Sequence, residues 1–400
     1  MSYPQTAISD IANFINGFPF KPSDWCDKGY KIIRIQNLSN LSKPFNRTQK
    51  EVPTRYLVKR GDILVSWSAT IDVFEWDDED SYLNQHIFKV EYNPQKVDKQ
   101  YFKLSLKNTI RELGKFAHGS TMKHVVKGDF DNHQIPLPPL DDQIRIATLL
   151  SKVEKLISRR CEQLRQLDEL LKSVFLEMFG DPVLNEEGWE KKILGDVSDI
   201  QGGLQVSIKR LENPIELPYL RVANVYRDFL DLREIKTIRV TEAESKRASL
   251  ENGDILVVEG HGNPTEIGRS AVWDGSIENC LHQNHLIRVR PFPEYALSVF
   301  VSFYINSSIG RQQMCKAGKT TSGLNTISTK NVKETQILLP PLDLQKSFAA
   351  IVTKVESMKT SYAQSLIQLE SLYGTISQKA FKGELDLSRV PLVEESEPVS

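Results

Sequence analysis

Two stretches of the chain carry apolar residues three or four positions apart, with charged residues between and no proline inside. In the first, Leu150, Val153, Ile157, Cys161, Leu164, Leu167, Leu171, Val174 and Met178 follow Gln143. This spacing predicts one long helix to Phe179 with a coiled-coil seam along one side. Pro136, Pro138 and Pro139 stop any element before it, Asp141 or Asp142 supplies a cap, and Gly180 with Pro182 ends it. In the second stretch the seam is Phe348, Ile351, Val355, Met358, Tyr362, Leu366, Leu369, Tyr373, Ile376 and Ala380, closing at Gly383. Gly374 interrupts this helix at a cost of about 1 kcal/mol against alanine, which weakens the prediction for its last turns. About 38 helical residues span roughly 57 Å. Neither seam tolerates water, so the two helices are expected to pair with each other, antiparallel, as a rod.

The remaining sequence reads as short β-rich runs separated by Gly, Pro and Asn, among them Ile32–Ile35, Asp62–Ser66 and Ile87–Val90. These runs recur. "IPLPPLDDQIRIATLLSKVEKL" from Ile135 returns from Ile337 as "ILLPPLDLQKSFAAIVTKVESM", at a constant shift that matches Pro139 with Pro341 and Gln143 with Gln345. "IIRIQNL" answers "YLRVANV", aligning Arg34 with Arg221 and Asn37 with Asn224. "RGDILVSW" answers "NGDILVVE", "NQHIFKV" answers "QNHLIRV" and "GSTMKHV" answers "TSGLNTI". A repeat of this length is a duplicated domain with its helix, not a solenoid unit. The predicted fold class is α+β: two α/β domains in a pseudo-two-fold repeat, separated by two long antiparallel coiled-coil helices. The expected boundaries are 1–140 and 181–342 for the domains, 141–180 and 343–385 for the helices, and 386–400 for an acidic, disordered tail. Such internal symmetry suits a two-part partner.

Composition narrows the class without naming it. With 400 residues and 40% hydrophobic content, each domain can bury a core; the net charge of −1 demands neither nucleic acid nor an anionic membrane. Cys26, Cys161, Cys280 and Cys315 stand singly, as in a reducing compartment. No apolar run approaches the roughly 20 residues of a membrane span. The start "MSYPQTAISD" lacks a signal-peptide layout, so a soluble, cytoplasmic protein is expected.

The ordered set of domain, "PLPPLxxQ", long helix, domain, "LPPLxxQ" and long helix resembles the specificity subunit of type I restriction-modification enzymes. "GDILV" twice, "GSTMKHV" ahead of "IPLPPLDDQ", and "AFKGEL" near the end agree with it, from about Asp10 to Leu385. The second copy departs from the pattern, with "TTSGLNTI" and "DLQKSF" where the first has "GSTMKHV" and "DDQIRIA". The resemblance implies a chain without chemistry of its own, whose two domains are target recognition domains. Each reads one half of a split, asymmetric sequence in double-stranded DNA. The paired helices act as a ruler for the unread spacer and dock two methyltransferase subunits, which carry S-adenosylmethionine. Two restriction subunits, using ATP and Mg, can join them. A rod of roughly 57 Å exceeds one DNA turn of about 34–36 Å, which agrees with that implication.

Major-groove reading needs Arg or Lys for guanine and Asn or Gln for adenine, whereas phosphate contacts set register. In the first domain the candidate surface is Ser120, Thr121, Lys123 and His124; the plainer alternative is a helix start capped by Ser120 or Thr121. Its counterpart in the second is Lys316, Lys319, Thr320, Thr321 and Ser322. Arg34 and Arg221 are candidates too, although edge-strand scaffold residues are the preferred reading of both. Trp67 follows the shared "GDILV" strand at a point where the copies diverge, "SAT" against "EGHGN", as variable sequence-reading loops would. His86 and His285 read as scaffold histidines. The acidic run "EWDDED" (Glu75–Asp80) would repel phosphate and should face away from DNA.

Catalytic signatures are missing. No NPPY-like methyltransferase motif occurs, and "GNPT" lacks the aromatic that stacks a flipped base. No G-x-x-x-x-G-K-[ST] loop occurs, no D…ExK spacing follows either "GDILV", and Cys280 with His282 is too few ligands for a metal. The competing readings are a DNA-binding or scaffold protein acting without a methyltransferase, and a nuclease with an unrecognised site.

Overall fold

The computed structural model describes residues 3–40, 42–68, 71–116, 127–321 and 324–392. The chain forms two compact units: one runs to Cys161 and resumes at Ser365, and the other spans Glu162–Gln364. The division falls inside both long helices, so half of each helix belongs to the core of each unit. The boundaries expected from sequence had set the helices apart as separate segments.

In the first unit a four-stranded antiparallel sheet runs in the order Ala12–Asn16, Ile87–Tyr92, Ile63–Ser66, Asp72–Glu75. A second sheet runs Asn46–Thr48, Tyr30–Ile33, Ser81–Leu83, Leu57–Val58, with Ile32 parallel to Tyr82. Strand Ile63–Ser66 is buried at all four positions because both its faces are covered. Ile63 and Val65 pack into the core shared with the long helices, and Leu64 packs with Trp76 and Leu83 on the other side. A continuous apolar run such as "ILV" is what two covered faces require.

The second unit repeats the main sheet strand for strand and the second sheet with three strands in place of four. Its main sheet runs Ser198–Gly202, Leu286–Pro291, Ile255–Val258, Ser270–Val272; its second runs Lys236–Val240, Ile215–Leu220, Leu281–His282, with Tyr219 parallel to Leu281. The run expected as a strand over Ile32–Ile35 ends at Ile33. A short helix, Ile35–Ser39, begins there because buried Asn37 accepts the Arg34 N–H (3.3 Å). Asn224 accepts the Arg221 N–H in the same way (2.9 Å) and donates to the Asp231 and Glu234 carbonyls.

The repeated "GDILV" is a turn leading into the central strand. Gly61 and Gly253 take φ of 91° and 92°, a region that penalises any Cβ. The aspartate then accepts the N–H three residues before it: Lys59 to Asp62 and Glu251 to Asp254, at 2.9 and 2.7 Å. Each turn is closed by a buried tryptophan, Trp76 or Trp273, bonded through its backbone to the Gly–Asp pair. Trp76 belongs to the acidic run, whose charges meet the unit's own cations. Asp77 pairs with Arg60, Asp78 with Lys31, and Glu75 with Lys99 and Lys103.

The long helices span Leu140–Phe179 and Leu342–Lys382, the second passing through Gly374 unbroken. Within the second unit Leu167, Leu171 and Phe175 share a core with Phe348 and Val355, and Lys359 pairs with Asp168 (2.8 Å). Within the first, Ile146 and Leu150 share a core with Ala380, and the Tyr373 hydroxyl donates to Glu154 (3.0 Å). Later residues of one helix meet earlier residues of the other, so the pairing is antiparallel. Between these stretches the seam thins: Ile157, Leu164 and Leu366 are half-buried, and Cys161 and Met358, both placed on it by spacing, are exposed. Two helices alone cannot cover such a seam; within each unit the main sheet packs against the helix residues of that unit and completes their burial.

Two further features matter: the order of the tail and one substitution between the copies. The expected disordered tail is corrected over residues 386–392: Leu387 is buried and Val390 packs against the first unit's core. Residues 393–400 lie outside the described ones. At matched helix positions Phe175 is buried among Phe179, Phe300 and Phe348, whereas its counterpart is Ser377. In place of an aromatic cluster, the first unit has an open polar cleft of about 480 Å³ lined by Thr109, His133, Gly374 and Ser377.

Candidate nucleic-acid interface

Each central strand delivers the chain to a residue held by one histidine. The N–H of Trp67 donates to the His86 carbonyl (3.3 Å), and that of Glu259 to the His285 carbonyl (2.9 Å). The backbone is the same, and the side chains are not. The half-buried Trp67 ring lies 4.8 Å from the His86 imidazole and stacks on Phe88 at 5.9 Å. His86 has φ of 75°, which presents its ring to solvent beside the indole. In the second unit the Glu259 carboxylate accepts the His285 Nδ1–H at 3.1 Å.

Beyond Glu259 the chain builds a small ribbon. Gly260–His261 pairs with Leu324–Thr326, which pairs in turn with Lys319–Thr321. The register sets Lys319 against Thr326, Thr320 against Asn325 and Thr321 against Leu324. Buried Ile327 anchors the ribbon by donating its N–H to the Glu259 carbonyl (2.8 Å). Lys316 is exposed in the last turn of the preceding helix, Ser308–Ala317. Of the candidates in the second unit, Lys316, Lys319, Thr320 and Thr321 are therefore brought together at one ribbon with His261. Ser322 lies outside the described residues, as do Ser120, Thr121, Lys123 and His124.

Each of the two arginines has a partner in its own unit. The Arg34 guanidinium lies 5.4 Å over the Trp25 ring, and Arg221 pairs with the Glu234 carboxylate at 3.2 Å. Their place before the buried Asn37 and Asn224 explains why "RIQN" and "RVAN" match: the pair starts a helical turn. Glu259 and His261 are not among the candidates named from sequence, and the exposed His285 is read there as scaffold. Their signal was the divergence after a shared strand; the partner of Glu259, however, comes from the turn that precedes the neighbouring strand Leu286–Pro291.

His282 is a different kind of histidine. It is fully buried, with Nδ1 donating to the Ala248 carbonyl (3.0 Å), and burial pushes its pKa down to about 4 despite that bond. The unfolded chain, with its histidine near 6.5, binds the proton first, so this group's contribution is full above about pH 6.5 and is lost as pH falls toward 4. Between pH 7.5 and 5 the loss is expected to be about 2 kcal/mol. Urea unfolding of the wild type and of His282→Gln at both pH values measures it; an equal pH dependence in the two proteins would assign the effect elsewhere. Among the described residues, no three His, Cys, Asp or Glu side chains converge as metal ligands. No described helix is long and apolar enough to cross a membrane.

A family model for the type I restriction modification DNA specificity domain matches residues 5–167 and again residues 186–371. The chain is 24% identical over 423 residues to the type I restriction enzyme EcoBI specificity subunit of Escherichia coli, covering 96% of this chain and 86% of that protein. It is 29% identical over 300 residues to the EcoKI specificity subunit of Escherichia coli strain K12, covering 68% and 62%. The crystal structure of a type I restriction-modification S subunit from M. genitalium superposes with a TM-score of 0.55 at 16% identity, covering 95% of this chain and 96% of that one.

Proposed function

Because the chain belongs to the type I restriction modification DNA specificity family, whose model it matches twice, we propose that its two units read the two halves of a bipartite, asymmetric DNA site. It is a non-catalytic specificity subunit, with methylation and cleavage residing in other subunits of a restriction-modification complex. The observation that carries the two-half reading is the shared scaffold with unlike exits. Gly–Asp turn, central strand and histidine repeat, while the residue presented after the strand changes from Trp67 to Glu259. A scaffold held constant under changing side chains suits two readers of two different sequences. Lys316 and Lys319 with the threonines of the ribbon supply the cations and hydroxyls that phosphate contacts need, and such contacts weaken as salt rises.

Two methyltransferase subunits carrying S-adenosylmethionine are the proposed partners. Two restriction subunits, which would use ATP and Mg, are the proposed further ones. The chain's own part is to bind and orient DNA for them.

The test is a map of methyladenine in cells expressing this chain with its methyltransferase subunit, against cells expressing the methyltransferase alone. A new split motif, methylated in each half and appearing only with this chain, is the expected result. A complex that forms and yields no motif contradicts the proposal. Replacing residues 1–140 with the corresponding domain of another family member should then change one half of the motif and leave the other. A change in both halves would contradict the assignment of one half to each unit.

A further inference from the structure

Position 259 is where the second unit departs from its own scaffold. The backbone there is pinned twice, by the His285 carbonyl on its N–H and by the Ile327 N–H on its carbonyl. The same strand exit in the first unit carries Trp67 under the same histidine bond, so the fold does not require a carboxylate at this point. His285 does not require one either, since His86 takes an indole for a neighbour. Glu259 nevertheless stands half-buried at the root of the ribbon that holds Lys319, Thr320 and Thr321. Its Oε2 is fixed by the His285 ring at 3.1 Å, and among the described residues nothing hydrogen-bonds to Oε1.

A carboxylate at a DNA-facing position is repelled by phosphate. What it accepts from are the exocyclic amines of bases, and its customary major-groove partner is cytosine N4. A carboxylate held by a rigid backbone and a second side chain is preorganised for such a contact. Building on the proposed function, we infer that Glu259 is a base-reading residue of the second unit. It accepts a hydrogen bond from a cytosine amine through Oε1, while His285 positions the carboxylate through Oε2. One half of the target therefore contains a G·C pair at the place Glu259 meets.

Methyladenine mapping of cells that express the full chain with its methyltransferase subunit, as wild type, Glu259→Gln or Glu259→Ala, tests this. The wild-type motif should hold a G·C pair at one position of one half that Glu259→Ala relaxes, raising methylation of sites with another base there by roughly 5- to 150-fold. Glu259→Gln should move the preference at that position toward adenine, the base an amide reads through N6 and N7. Unchanged motifs in both variants would make Glu259 a support for His285 and overturn the inference while leaving the two-half reading intact. Loss of all methylation, or altered preference in both halves, would equally overturn it in favour of a folding role; the thermal midpoints of the purified variants would agree. Absence of any split motif from the wild type would sink both.

Discussion

Gln345→Leu should destabilise the second unit by about 3–5 kcal/mol, although the substitution keeps volume and adds apolar surface. Gln345 is fully buried in the first turn of the second long helix. Its Nε2 donates to the Pro340 and Tyr295 carbonyls (2.8 and 3.3 Å) and its Oε1 accepts the Leu297 N–H (2.9 Å). Leu297 precedes the helix Ser298–Asn306, so one side chain ties the start of that helix to the start of the long one. Leucine leaves three backbone groups without their partner, at roughly 1–3 kcal/mol each. Gln143 does the same in the first unit, donating to Pro138 and Lys96 and accepting from Asp98 N–H. Gln143→Leu should therefore cost a similar amount there. Urea unfolding measures both, and hydrogen exchange should show Ser298–Asn306 losing protection in Gln345→Leu. A loss below about 1 kcal/mol would mean that water or backbone movement satisfies the three groups.

Asp254→Ala should cost the second unit about 3–5 kcal/mol, the usual penalty for stripping one partner from a buried ion pair. The Asp254 side chain is fully buried; its two oxygens take Arg290 Nε and Nη2 at 2.6 and 2.7 Å, and one also takes the Glu251 N–H. Removal opens the Gly253 turn and leaves a guanidinium whose one remaining ion-pair partner among the described residues is Glu251, an exposed carboxylate. The equivalent change in the first unit, Asp62→Ala, should cost less. There the cation is Lys89, bound at 3.2 Å by a single contact, and the Asp62 side chain is 28% exposed, so water already screens the pair. Denaturant unfolding of both variants, with the larger loss for Asp254→Ala, is the expected outcome; equal losses would mean that the turn bond, not the ion pair, supplies the stability.

Both variants bear on how the repeated motifs are to be understood. "PLPPLxxQ" and "GDILV" were legible because each is a contiguous string whose copies match, and the structure gives each a supporting task. One is a glutamine clamp, the other a left-handed glycine with a turn-closing aspartate. Their repetition identified the scaffold. It did not identify the reading surface, which has to differ between the copies. Arg34 and Arg221 illustrate this: they match between the copies, scaffold is the preferred reading of both from sequence, and each has a partner within its own unit. Trp76 and Trp273 show the converse, since the acidic neighbours of Trp76 hid a buried residue that closes the same turn in both units.

The sequence by itself determined the duplication, the two long helices with their proline starts and glycine ends, and the short β-rich runs at Asp62–Ser66 and Ile87–Val90. All of these are written in local periodicity and short motifs, where propensity and burial act over neighbouring residues. Only the tertiary structure decided which distant groups meet. Gln345 reaches Leu297, Glu259 reaches His285, and the ribbon from Lys319 is set against Gly260–His261. It also decided that each long helix is shared between two cores, and that Ser377 opens a cleft where Phe175 fills one. Such contacts follow from sheet order and from which faces are covered, and neither is encoded within any one segment of the chain.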